Sequence, residues 1–318
     1  MVNPPFLKTA ALVSTVFATI NAELEFVKLT HPMGSCVEIF KFGAHVKSFH
    51  PAMDPTLDIL FMSKESFLNG KDPVRGGIPI IFPNFGSAKG LPSHGFARIT
   101  NWTLSNHENS KDKKKPSVAN FTMASSEETL KIWPSDFELT YEVKLYPNQL
   151  TTALHVHNKH KETIKFHALL HNYLWVDDAR NKGVQVHGLK NVDYYDKVAK
   201  ANKTETRDYI DFKSQTDNVY SNAPDKISVL IKGIKFEDRT VTIDKAGSIS
   251  VAGKSSSKTK TDVVVWNPWA DRAKTMEDFG DEEYKNMVAV EPGRVSVQQE
   301  LPAGQTYTLK ETISVIKL

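Results

Sequence analysis

Glu291 closes the apolar run Met287-Val288-Ala289-Val290 and is followed at once by Pro292-Gly293, a pair expected to turn or kink the chain. A carboxylate drawn out of water by such a run has its pKa raised, the condition a general base needs near neutral pH. A glutamate that simply ends a strand at the surface has the same sequence signature. His171, in Leu169-Leu170-His171-Asn172-Tyr173, is a candidate acid or base in a partly sheltered strand. Arg75 opens Arg75-Gly76-Gly77-Ile78-Pro79-Ile80-Ile81-Phe82-Pro83. Its glycines permit close backbone approach or positive φ, and its prolines exclude a regular internal strand or helix. A rigid loop of this kind could offer the guanidinium to an oxyanion or tie it to a structural carboxylate. Pro92-Ser93-His94-Gly95-Phe96-Ala97-Arg98 again joins a constrained turn to an arginine. Trp266-Asn267-Pro268-Trp269 sets flat rings beside an amide, which suits either the faces and hydroxyl edge of a sugar or a tryptophan pair in the core.

Other chemistries find less support. His155 and His157 on one predicted strand and His167 on the next could converge on a metal. However, no HExxH pattern and no carboxylate at ligand spacing accompanies them, so histidines hydrogen-bonded within a sheet are the reading that fits. The chain has no GxxxxGK[ST], no GxGxxG after a strand and no GxSxG elbow. Cys36 is the only cysteine, which removes intramolecular disulfides and cysteine-rich zinc sites.

The elements that must position these groups are strands. Period-two runs of β-branched and aromatic residues, separated by Gly, Pro and Asn, recur from residue 24 to the C-terminus. They include 24–29, 35–40, 44–49, 118–123, 137–146, 150–158, 163–176, 226–231, 240–243, 261–266, 287–290, 295–301 and 305–315. Only Asp271–Tyr284 has helical content, so the pattern predicts an all-β antiparallel sandwich and excludes a βαβ fold. The polar insert Lys159–Glu162 predicts a hairpin between 150–158 and 163–176, with His155 beside His167 and Thr151 beside His171. Polar stretches at 108–117 and 253–262 are expected as surface hairpin loops.

The 318 residues carry 40 Lys+Arg against 37 Asp+Glu, a balance too mild and dispersed to indicate a nucleic-acid partner. Residues 1–22 combine Lys8, a short apolar stretch and small residues at its end, the pattern of a secretory signal peptide. That predicts a secreted or endomembrane-lumenal protein with no membrane anchor after its removal; an N-terminal helix or tail on a cytoplasmic protein is the other reading. Residues 23–318 are expected to form a single domain. Sequons at Asn101, Asn120 and Asn202 occur about as often as composition alone would give.

In combination and in this order, five separated motifs resemble the glucose-6-phosphate 1-epimerase (hexose-6-phosphate mutarotase) family. They are Arg75-Gly76-Gly77-Ile78-Pro79 with Phe82-Pro83, His94-Gly95-Phe96-Ala97-Arg98, His171-Asn172-Tyr173-Leu174, Trp266-Asn267-Pro268 and Glu291-Pro292-Gly293. The resemblance runs from about residue 24 to the C-terminus and implies a galactose-mutarotase-like β-supersandwich. It implies Glu291 as general base and His171 as general acid, with Arg75 and Arg98 contacting substrate, most naturally a phosphate. Ser93, His94, Asp217 and Asn267 match substrate-contacting positions. The sequence departs from the family at Ser93, where relatives often carry glutamine, and at Asn172, where threonine is commoner.

The implied reaction interconverts the α and β anomers of a hexose 6-phosphate and needs no cofactor or metal. The expected partner is a small sugar or sugar phosphate, and the expected state a monomer. A mutarotase for unphosphorylated aldoses and a non-catalytic carbohydrate-binding protein on the same scaffold stay open as alternatives.

Overall fold

The computed structural model describes residues 24–251 and 256–318; the candidate signal segment therefore lies outside the described residues. Among the described residues the strands form a three-stranded, an eight-stranded and a ten-stranded sheet, with antiparallel pairing between the strands of each. The two large sheets pack face to face. Phe166 of the eight-stranded sheet meets Tyr307 of the ten-stranded sheet at 5.7 Å between ring centroids. One apolar core runs from Val27 to Val315. The all-β expectation holds, and its cause is visible in strands such as Phe137–Leu145, where every second residue is buried. No helix among the described residues is long and apolar enough to cross a membrane.

Four local expectations are corrected. The Lys159–Glu162 insert does not close a hairpin: Gln149–Asn158 pairs with Phe137–Leu145 and Gln305–Lys317 in the ten-stranded sheet. Ile164–Leu170 instead pairs with Met287–Leu301 and Ile80–Ile81 in the eight-stranded one. The chain crosses between sheets there, so His155 faces Thr308 rather than His167. The expected strand 163–176 is broken into Ile164–Leu170 and Tyr173–Trp175. Pro292-Gly293 does not turn the chain; Met287–Leu301 runs on as one strand, irregular only between Arg294 and Gln299.

Helix is also distributed differently. Asp271–Tyr284 contributes only part of the short helix Trp269–Ala273 and part of the 3-10 turn Glu283–Asn286. A further helix, Glu127–Ile132, forms where Ser126 caps the Thr129 amide and the Thr129 hydroxyl answers the Ser126 amide.

The eight-stranded sheet carries the site. Thr216–Tyr220, Asp262–Asn267 and Met287–Leu301 lie side by side, with Asp217 opposite Trp266 and Val264 opposite Glu291. Leu169 faces Gly293, and Tyr173 faces Ala289. That register sets His171 opposite Glu291 across neighbouring strands. Alternation then turns His171 and Glu291 to the outer face while Asn172 and Val290 turn to the core.

Candidate active site

His171 and Glu291 form the floor of a cavity of about 430 Å³. His171 Nε2 lies 3.4 Å from Glu291 Oε1, and the two side chains are 10% and 1% exposed. His171 Nδ1 and Glu291 Oε2 are buried and have no hydrogen-bond partner among the described residues. Groups of this kind are uncommon in folded interiors and are the atoms a ligand would satisfy.

Burial disfavours the charged form of both groups. It pushes the Glu291 carboxyl well above its ordinary range, reinforced by Asp217 and opposed by Lys197. It pushes the His171 imidazole well below its ordinary range, reinforced by His94, Arg75 and Arg98. Both shifts favour the uncharged pair, a carboxyl and an imidazole nitrogen in contact, and a proton passed across that contact interconverts its two tautomers.

The His171 ring is fixed from behind. It stacks on Tyr173 at 4.4 Å and 12°, with Trp266 edge-on at 6.0 Å. The Tyr173 hydroxyl accepts from Arg75 at 2.9 Å, and Arg75 Nε donates to Asp278 at 3.1 Å. Arg75 thus lines the cavity while its guanidinium is tied to a structural carboxylate and a phenol, the second of the two sequence alternatives.

The loop carrying Arg75 is held by its neighbours. Pro79 and Gly77 carbonyls accept from the His171 and Tyr173 amides. Gly77 sits at φ +58, and a Cβ there would come within 2.2 Å of the Val46 oxygen. Gly95 makes the same provision in the second loop, where a Cβ would meet the Phe82 oxygen at 2.0 Å.

The remaining wall is cationic. Arg98 donates to the Ser93 carbonyl at 2.8 Å, and its Nε is unpartnered among the described residues. Burial and the nearby Arg75 lower its pKa to about 10, so this guanidinium lacks the counter-charge that an anion would provide. Arg272 and Lys197 also line the cavity. Lys197 pairs with Asp217 at 3.0 Å and lies over the Phe85 ring at 4.9 Å. His94 is held neutral, its pKa lowered to about 3 by burial and then by Arg98, Lys197 and Arg75. Its Nδ1 accepts weakly from the Gly86 amide at 3.4 Å, which leaves the proton on Nε2.

Of the sequence-predicted residues, Arg75, Ser93, His94, Arg98, His171, Asp217 and Glu291 come together on this cavity. Asn267 does not. It is fully buried, donating to the Tyr284 and Met287 carbonyls at 2.8 Å each and accepting from the Trp269 amide. Trp266 reaches the cavity, whereas Trp269 packs on Tyr284 at 5.3 Å, so the tryptophan motif divides between cavity wall and interior packing. His155 and His157 bond Thr308 and Thr306 hydroxyls, as expected of sheet histidines, and His167 accepts from the Phe85 amide in the other sheet.

Lys197, Arg272, Phe85 and Gln215 were not foreseen. They lie in surface segments; Phe85, two residues beyond Phe82-Pro83, and Gln215, two before Asp217, stood beside recognised positions. Three larger grooves, of about 840, 860 and 570 Å³, are lined by no histidine, so size alone does not locate the chemistry.

A β-sandwich with a carboxyl and an imidazole in contact at the floor of a polar cavity can carry out acid–base chemistry on a small polar molecule. The chain belongs to the aldose 1-epimerase family, whose model matches residues 25–314. A protein of Cenchrus ciliaris, provisionally named a glucose-6-phosphate 1-epimerase, is 35% identical over 92% of this chain and 85% of its own length. A protein of Escherichia coli with the same provisional name is 30% identical over 93% and 92%. The crystal structure of a provisionally named mutarotase from Salmonella typhimurium superposes with a TM-score of 0.78 at 29% identity, covering 93% of this chain and 92% of that one.

Proposed function

We propose that this isomerase interconverts the α and β anomers of hexose 6-phosphates, with Glu291 and His171 exchanging the protons. O1 and the ring oxygen are bonded to the same carbon, so the groups serving them must themselves be close neighbours. The 3.4 Å approach of His171 to Glu291 is the observation that carries this reading.

The shared proton first moves to His171; Glu291, then a carboxylate, takes the O1 proton while the His171 imidazolium delivers its own to the ring oxygen. The C1–O5 bond breaks and C1 becomes an aldehyde carbon. Rotation about C1–C2 presents the other carbonyl face. The reverse transfers re-form C1–O5 and return both protons, so the pair ends as it began. Each positioned acid or base contributes about 10²–10⁴-fold.

Arg98 and Arg272 support phosphate as the distal group, because planar guanidinium forks match its oxygens. Neutral His94 and the Lys197–Asp217 pair supply donors and an acceptor for ring hydroxyls, and Trp266 supplies an apolar face. The names of the relatives support the same substrate class. Export, which residues 1–22 support, would favour unphosphorylated sugar instead, and comparing the two substrates decides between them.

Rates of anomerisation of glucose 6-phosphate and of glucose, with wild type and Arg98→Ala, test the phosphate assignment. The variant is expected to lose roughly 10- to 100-fold in kcat/KM on the phosphorylated sugar, the worth of a hydrogen bond to a charged group, and little on glucose. Equal losses on both substrates would remove the phosphate role.

A further inference from the structure

We propose that Glu311 is a positioning residue for the acid–base pair, acting through Asn172 from the opposite sheet. The inference rests on the assignment of His171 and Glu291 above and adds a residue that never reaches the cavity. Glu311 belongs to Gln305–Lys317 in the ten-stranded sheet. Its neighbours on the same face, Leu309 and Ile313, are buried apolar residues, so a carboxyl interrupts an apolar stripe. A carboxyl in such a place costs stability unless it is well bonded.

Its bonds lead to the floor of the site. One Glu311 oxygen accepts from Asn172 Nδ2 at 2.6 Å, and the other accepts from the Thr152 hydroxyl at 3.2 Å. Asn172 Nδ2 also donates to the Val290 carbonyl at 3.2 Å, and the Val290 amide donates to the Asn172 carbonyl at 3.3 Å. Thr152, Asn172 and Glu311 have 0% exposure, as does Val290.

Asn172 follows His171, and Val290 precedes Glu291. Between the pairs Leu169–Gly293 and Tyr173–Ala289 the strand ladder is interrupted. The Asn172 amide spans that gap, and Glu311 holds the amide. The clasp therefore fixes the relative position of the two strands at the point where a nitrogen and an oxygen must stay in contact. Misplacement of reacting groups by about 1 Å costs up to about 100-fold in rate.

The test compares kcat, KM and thermal melting for wild type, Glu311→Leu, Glu311→Gln and Asn172→Ala, with Glu291→Gln as the inactive control. Leucine packs with the stripe but cannot hold the amide and leaves the Thr152 hydroxyl unpaired, so Glu311→Leu is expected to fold and to melt somewhat lower than wild type. Its kcat should fall about tenfold or more at unchanged KM. Glutamine keeps an acceptor for Asn172 and a partner for Thr152, and should restore kcat to within about threefold of wild type. A folded Glu311→Leu protein with wild-type kcat, or a glutamine variant as slow as the leucine one, overturns the role. Should Glu311→Leu fail to fold, Asn172→Ala is judged by the same fall in kcat at unchanged KM. A wild-type chain that accelerates no anomerisation takes down the assignment of the pair itself, a result distinct from an active wild type that is indifferent to Glu311.

Discussion

The imidazole of His171 lies 4.4 Å from the phenol ring of Tyr173 and within 12° of parallel to it. Both residues occupy the outer face of one broken strand, and the phenol is itself held by Arg75 and, through it, by Asp278. The stack sets the plane in which the histidine nitrogens lie. Tyr173→Phe keeps the stack and loses one hydrogen bond; Tyr173→Leu loses both. The leucine variant is expected to be about tenfold slower in kcat than the phenylalanine variant. Equal rates for the two would show that the stack does not orient the acid.

The pH profile follows from the directions in which the pair is shifted. Activity requires one proton on the pair. The alkaline limb is loss of that proton at the raised carboxyl, and the acid limb is gain of a second at the depressed imidazole. The acid limb of kcat/KM should therefore lie below 6.5, the ordinary histidine value. Lys197 favours the Glu291 carboxylate, so Lys197→Met should move the alkaline limb to higher pH; Asp217 opposes it, so Asp217→Asn should move that limb lower. Limbs that ignore both substitutions would mean that a different group titrates.

Asn267 separates folding from chemistry. Its amide joins the end of one strand to the carbonyls of Tyr284 and Met287 and accepts the Trp269 amide. Asn267→Ala leaves these groups unsatisfied and should lower stability by about 3 kcal/mol, read from denaturant unfolding. KM for the sugar should be unchanged. A raised KM in a protein of normal stability would return Asn267 to the binding site.

The strands were legible in the sequence because alternation of buried and exposed residues is a local property. Their partners were not. Nothing in Lys159–Glu162 says whether the chain folds back in the same sheet or crosses to the other, since a short polar insert serves both, and the expected contact of His155 with His167 failed for that reason. Arg75, His94, Arg98, His171 and Glu291 could be singled out because glycine, proline and apolar runs around them constrain the backbone. Lys197 and Arg272 stand in ordinary surface sequence and become part of the site only when distant strands bring their segments to one rim. Glu311 was unread for a related reason: a glutamate in an alternating strand belongs by default to the exposed face, and only the packed sandwich shows it beneath Asn172.

The most direct measurement is polarimetry of freshly dissolved α-glucose 6-phosphate with wild type and with Glu291→Gln, each first shown to be folded. The wild type should bring the rotation to equilibrium far faster than buffer, and the glutamine variant, which keeps the shape and removes the proton acceptor, should match the buffer rate. A Glu291→Gln protein that works at close to the wild-type rate contradicts the account.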